Sequence, residues 1–388
     1  MAREERGKTA QVRCRIAAAL TALAGVLWLL PAKPAWALDG SAESGLVYES
    51  WRGSDGEKGS QLHLPVVLRG SQGNFSAALL TAYAYTSQTD SGGESASVGG
   101  LVDIKVGASY RIADTLPVDL LVGLDLNLPT GKTNLSQKEA GLDLDSERMT
   151  VTELGEGFNV NPTLSAGRSW GAVAVGVGVG YLWRGTYDRT ADEKDYDPGD
   201  LVSGTLDLRW AFAPEWETRF LAKYSHYSET RQDGDPAFKE GDFRSLLAGA
   251  RWDGLAWGMT AALEGIFRAP TDIKDSRLGP TGDVDQGQEY RATVSVRRVL
   301  ASRSEVSAMV RGLLVTDNGE SDTSPRQTGS RRKVSLSLGL GHWFTPHLAG
   351  HAALGGFWMH DDAANFPAEQ DASNYWGETV AVRLEGRF

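Results

Sequence analysis

The feature that most constrains this chain is strict two-residue alternation, seen most plainly in "GAVAVGVGVGYLW", Gly171 to Trp183. Successive side chains of a strand point to opposite faces. Val173, Val175, Val177, Val179, Tyr181 and Trp183 therefore share one face, and Ala172, Ala174, Gly176, Gly178 and Gly180 share the other. A flexible linker would not keep a β-branched residue at every second position, and a helix would scatter the valines around its axis. "LVDIKVGASYRI", "LVSGTLDLRWAF" and "KVSLSLGLGHWF" divide in the same way into an apolar and a polar face. Strands of soluble sandwiches run only ~5 to 6 residues. These run about twice that, which matches the ~9 to 11 residues a tilted strand needs to cross hydrocarbon.

Sixteen such strands are expected, over 43–52, 59–69, 74–86, 99–112, 117–128, 158–168, 172–187, 200–212, 216–229, 242–252, 255–268, 287–299, 303–316, 331–344, 347–360 and 375–388. Short links such as "SWG", "APE" and "TP" follow even-numbered strands, and long polar segments follow odd-numbered ones, the longest being Thr130 to Gly157. Transmembrane barrels alternate short turns and long loops in this way, with both chain ends on the short-turn side. In lipid every backbone N–H and C=O must be paired within the protein, which a closed barrel achieves and an open sheet does not. The expected fold is all-β, a transmembrane antiparallel up-and-down β-barrel of about 16 strands spanning residues 38–388. It would have 14 strands if the first hairpin stood outside the wall.

Residues 1–37 read as a secretory signal peptide, with a basic start, the apolar "IAAALTALAGVLWLL" and the small-x-small site Ala35, Trp36, Ala37. The single cysteine, Cys14, falls in that leader, so the mature chain is expected to lack disulfides, thiolate metal sites and covalent haem. Loss of the leader leaves 33 basic against 48 acidic residues, a net charge of −15, which makes nucleic acid a poor partner. Glycine, at 46 of 388 residues, exceeds the usual ~7 %.

The chain ends "ETVAVRLEGRF", an alternating strand closed by Phe388. That ending resembles the signature by which the outer-membrane barrel assembly machinery recognises its clients. Aromatic residues gather where strands meet turns or loops, among them Trp183, Trp210, Phe212, Trp216, Trp252, Trp257, Trp343, Trp358 and Trp376. Interfacial girdles in contact with outer-membrane lipid belong there, because these rings are amphipathic.

The polar phase of the strands gives the expected lumen-lining charges: Asp103, Lys105, Arg111, Asp119, Asp125, Asp207, Arg209, Glu217, Arg219, Lys223, Arg251, Glu264, Arg268, Glu289, Arg291, Arg297, Glu305, Arg311, Lys333, Arg383 and Glu385. Both signs are nearly balanced, so pairing across neighbouring strands is the plain expectation for any one of them. A subset could instead set the size and charge preference of a pore. About eight strands fill a barrel with side chains, whereas sixteen leave an aqueous channel. The loop from Thr130 to Gly157, with Glu139, Asp143, Asp145 and Glu147, is the expected constriction, and the glycine face of 172–180 is where it is expected to lie. "LDLDSE" lacks the glycine and ligand spacing of an EF-hand, and "LPTGKT" lacks the first glycine of a phosphate loop, so neither calcium nor nucleotide is expected. No metal or cofactor is expected.

The segment "PVDLLVGLDLNLPTGKTNL", Pro117 to Leu135, together with the strand rhythm, resembles outer-membrane proteins of the phenol-degradation (MetA-pathway) type. These are similar in turn to the fatty-acid and toluene channel superfamily. The resemblance implies uptake of small hydrophobic or aromatic molecules, although only "LDGSAESG" precedes the first strand where those channels carry a folded plug. The expected function is an outer-membrane channel or uptake protein for small solutes of unspecified identity, working by passive diffusion in the bacterial outer membrane. The alternatives are a structural or partner-binding barrel, for example a sleeve for an electron-transfer protein, and a surface hydrolase. For the last, His360 beside Asp361 and Asp362 resembles the rim of omptin-type proteases, but no second acidic pair is evident, and His226 points away from Ser225. The chain is therefore expected not to be an enzyme.

Overall fold

The computed structural model describes residues 39–113, 117–301, 303–367 and 369–388. The expected signal peptide, residues 1–37, and its Cys14 lie outside the described residues. The wall strands are β1 (Asp39–Gly53), β2 (Lys58–Gln72), β3 (Phe75–Thr89), β4 (Ser95–Leu101 and Ile104–Ile112), β5 (Asp119–Leu128), β6 (Asn159–Trp170), β7 (Val173–Arg184) and β8 (Leu201–Ala213). They continue as β9 (Trp216–Tyr227), β10 (Phe243–Asp253), β11 (Trp257–Arg268), β12 (Glu289–Ala301), β13 (Ser304–Val315), β14 (Arg331–Thr345), β15 (Leu348–Asp361) and β16 (Ser373–Arg387). Each pairs antiparallel with its neighbours in sequence order, and β1 pairs with β16 from Ser41↔Arg387 to Gly53↔Tyr375. The wall is thus a closed sixteen-strand antiparallel barrel, and the first hairpin belongs to it.

Closure is completed at the chain end, where Gly40 and Phe388 exchange both backbone hydrogen bonds at 2.9 and 3.0 Å. A Cβ on Gly40 would stand 2.3 Å from the Phe388 ring, so only glycine lets that ring lie over the seam. The tight turn between β6 and β7 likewise needs Gly171, whose φ of 57° is costly for residues with a Cβ.

The outward face carries the apolar phase of every alternation. Leu263, Leu354 and Val179 are 65, 62 and 61 % exposed, and Leu206, Leu246, Leu338 and Val382 are comparably bare. Burying a single leucine is worth about 1.5–3 kcal/mol, so a belt of this extent requires an apolar medium around it. At the short-turn end Trp210, Phe212, Trp216 and Trp252 form a continuous arc with ring centroids 5.4 to 6.3 Å apart. At the long-loop end Tyr181, Trp183, Tyr290, Trp358 and Trp376 stand exposed on the outer face.

Two features depart from the expected strand pattern. β4 is not continuous over 99–112: it breaks at Val102 and Asp103, where the Val102 N–H still donates to Ala82 but the Asp103 N–H donates to Leu154 of the long loop at 2.9 Å. The long loops also build a second, five-stranded sheet at the rim, in the order 282–284, 271–273, 235–239, 229–232 and 196–197.

Candidate functional site: a folded loop in the lumen

The loop between β5 and β6 turns into the barrel and is fastened at both its base and its tip. At the base Asp103, only 2 % exposed, accepts from the Gly131 N–H at 2.6 Å, the Glu156 N–H at 2.7 Å and Asn127 Nδ2 at 2.7 Å. One buried carboxylate therefore holds the first and last turns of the loop together, which is a strong use of charge-assisted hydrogen bonds. The approach is close enough that a Cβ on Gly131 would sit 1.8 Å from the Leu154 carbonyl oxygen. Beyond it lies a single helical turn, α1 (Gln137–Ala140), capped by Ser136 and Glu139. Lys132 pairs with Glu139 alongside.

The tip crosses to the opposite wall. Gln61 on β2 pairs with both backbone groups of Val151, at 2.7 and 2.8 Å, as a neighbouring strand would. Glu49 on β1 accepts from the Thr150 N–H and Oγ1, each at 2.9 Å. Arg148, fully buried, binds Glu57 at 2.9 Å and also pairs with Asp143 and with Asp145. Burial alone would lower the Arg148 guanidinium; Asp143, Asp145 and Glu57 outweigh that and hold it above the ordinary arginine value. Asp145 meets Arg331 of β14 at 2.7 Å, and Glu147 meets Lys333 at 3.1 Å and Arg291 of β12 at 3.2 Å. Met149 packs with Trp51, Met359 and Tyr375, while Leu142 and Leu154 pack with Ala84 and Val98. Both buried apolar clusters found among the described residues thus lie between this loop and the inner wall.

The loop consequently covers β1 to β4 and β14 to β16 and reaches β12 through Arg291, and it does not lie against the glycine face of β7 as expected. A side chain at Gly178 would first meet Ser165 and Thr205, and one at Gly180 would meet Ser203 and Asn161, all on the flanking strands. The reason is chemical: the loop's carboxylates, arginine and methionine find partners on the far wall, whereas Gly176, Gly178 and Gly180 offer none. The glycines instead keep the wall facing the loop free of bulk.

The expected lumen charges divide by what they touch. Asp103 is a buried clamp rather than an open wall charge, and Lys105 reaches Glu156 of the loop at 3.3 Å. Arg111 and Asp119 pair at 2.5 Å, Asp125 accepts from Asn161 at 3.3 Å, and Asp207 holds Arg209 at 3.1 Å and Arg219 at 2.9 Å. Arg251 pairs with Asp253, and Arg297 stands 3.6 Å from both Asp253 and Glu305. Glu264 accepts from Ser245 at 2.6 Å, and Glu289 takes Arg268 at 3.4 Å and also Arg291. Arg383 reaches Glu43 at 3.4 Å, and Glu385 holds Arg387 at 2.7 Å with His351 at 3.5 Å. Among the described residues the side chains of Glu217, Lys223 and Arg311 make no hydrogen bond or ion pair. Exposed pairs of this kind contribute little stability each and chiefly solvate the wall.

Sequence reasoning missed the loop's anchors Glu49, Gln61, Asn127, Arg148 and Arg331. Glu49, Gln61 and Asn127 share the inward phase of their strands and were visible to the same parity argument. Their partners, 90 or more residues away for Gln61 and Glu49, were not.

On the tip's lumen side, between residues 146–150 and the inner faces of β10 to β16, β1 and β2, lies a cavity of about 800 Å³. A second, of about 660 Å³, opens at the short-turn end beside Ser109, Gly123 and Asp125. At the rim His360 contacts Asp362 and Asn374, each at 3.1 Å, while Asp361 points to the other face and is bound by Arg331 at 2.7 Å. The two carboxylates therefore do not converge on one reacting position.

No protein-family model matches the chain, and no curated protein matches it in sequence. Among solved structures the chain is similar to a CymD monoaromatic hydrocarbon channel, at 10% identity over 90% of this chain and 88% of that one, with a TM-score of 0.45. It is also similar to an anion-selective porin from Comamonas acidovorans, at 13% identity over 90% and 98% of the two chains and a TM-score of 0.44. OpdQ of Pseudomonas aeruginosa stands at 10% identity over 91% and 99%, with a TM-score of 0.44.

Proposed function

We propose that this protein is an outer-membrane channel through which small solutes pass by diffusion, narrowed by the loop of residues 130–157. The observation that carries the reading is the pairing of a closed sixteen-strand wall, apolar outside and polar inside, with a loop fastened across part of its lumen. A barrel of that size encloses water unless something fills it. The loop's anchors lie on β1 to β4, β12 and β14 to β16, whereas β6 and β7 turn glycines and short polar side chains such as Gly178, Gly180, Thr163 and Ser165 inward. Lipid is the medium of the outer face, and Phe388, closing β16 at the seam, is the residue the barrel assembly machinery would read. A hydrolase is disfavoured because Asp361 is engaged by Arg331 at 2.7 Å while Asp362 turns to His360, so the two rim carboxylates face different ways.

Liposome swelling tests the reading. Vesicles containing the protein should swell in isotonic solutions of small neutral and aromatic solutes, faster for smaller ones. Rates equal to those of protein-free vesicles for every solute would sink it.

A further inference from the structure

Among the described residues lining the cavity beneath the loop tip, one cation has a side chain that nothing engages. Arg148 is taken by Glu57, Asp143 and Asp145, Lys333 by Glu147, Arg291 by Glu147 and Glu289, and Arg383 by Glu43. The acids are equally occupied: Glu49 by Thr150 and Glu264 by Ser245. The side chain of Arg311, midway along β13 and exposed to the cavity, makes no hydrogen bond or ion pair among the described residues.

Its surroundings suit a particular ligand. Thr293 of β12 and Ser335 of β14 stand directly across from Arg311 on the two neighbouring strands, so two hydroxyls flank the guanidinium. Met309 and Leu313 lie on either side of it along β13, Phe357 neighbours Ser335, and the loop contributes Met149 to the same cavity. A guanidinium binds a carboxylate through two parallel N–H bonds, and hydroxyls can add to the same oxygens. An anion without an apolar body would leave Met309 and Leu313, which flank Arg311 along β13, facing water, and a neutral aromatic would leave Arg311 unused.

We propose that this cavity is a binding site for a small carboxylate carrying an apolar body, with its carboxylate on Arg311 and its body against Met309 and Leu313. The site rests on the channel reading and gives it a preferred solute class: the ligand pauses below the loop tip on its way through the lumen.

Benzoate is the probe, with phenol and chloride as controls, on wild type, Arg311→Gln and Arg311→Lys reconstituted in planar bilayers. Benzoate should reduce the wild-type current at concentrations where phenol does not. Arg311→Gln should need at least about tenfold more benzoate, the loss expected for one charged hydrogen-bonding partner, and Arg311→Lys should lie between. Equal sensitivity of wild type and Arg311→Gln would overturn the site, as would block by phenol at the same concentration. Chloride in excess displacing benzoate fully would show simple charge attraction and also overturn it. Absence of any wild-type current would instead tell against the channel reading, and calorimetric titration of the detergent-solubilised proteins with benzoate would then decide the site by the same wild-type and Arg311→Gln comparison.

Discussion

Replacing Asp103 by alanine should release the lumen loop while leaving the barrel closed. The side chain is 2 % exposed and accepts three hydrogen bonds, two of them from the backbone at opposite ends of the loop. A hydrogen bond to a charged group contributes about 1.5–3 kcal/mol, and burying an unpartnered donor costs a similar amount. Asn127 keeps a second acceptor in the Gly157 carbonyl, so the loss falls mainly on the Gly131 and Glu156 N–H groups. Two such bonds give about 3–6 kcal/mol, a rise in the open population of roughly 10²- to 10⁴-fold. Trypsin reads this directly, because Arg148 is buried in the docked loop whereas Lys138, on the exposed helical turn, is available either way. When opening is fast relative to cleavage, the rate follows the open population. Cleavage after Arg148 should therefore accelerate at least a hundredfold in Asp103→Ala, with cleavage after Lys138 nearly unchanged. Equal rates after Arg148 in the two proteins would show that the tip contacts keep Arg148 docked independently of Asp103, and that base and tip do not open as one unit.

Three further outcomes follow from the same geometry. Gly131→Ala places a Cβ 1.8 Å from the Leu154 carbonyl oxygen, an overpacking worth about 1–3 kcal/mol or more, and should open the same tryptic site less than additively with Asp103→Ala. Glu147→Gln removes the anion shared by Lys333 and Arg291, so the reversal potential in a potassium chloride gradient should move toward anion preference; an unmoved potential would exclude Glu147 from the permeation path. Leu354→Arg, midway along β15 and facing outward, should destabilise the barrel in vesicles by about 2–4 kcal/mol in urea unfolding, while Ser337→Arg on the inner face should cost far less.

The barrel was legible because its rule is local. Each strand's two-residue phase, written in stretches such as Val173 to Val179 or Val334 to Leu340, fixes which side meets lipid without knowledge of any partner. The break at Val102 and Asp103 was hidden because both residues fit the alternation; what breaks the strand is Leu154, over fifty residues away, accepting the Asp103 N–H. The rim sheet was hidden for a related reason: segments such as Tyr196–Asp197 and Thr271–Ile273 are too short and polar to carry a period. The loop's length and acidity were readable, but its direction was not. That direction is set by Gln61 meeting Val151, Glu49 meeting Thr150 and Lys333 meeting Glu147, pairings that neither residue type nor spacing announces.

The central claim is a water-filled path through a sixteen-strand wall, narrowed by one docked loop. Single-channel recording of the purified protein and of Asp103→Ala in planar bilayers tests it most directly. Discrete conducting steps in the wild type, and larger or noisier steps in Asp103→Ala, are the predicted result. Steps of identical size in both proteins, or an unbroken barrier in both, would contradict it.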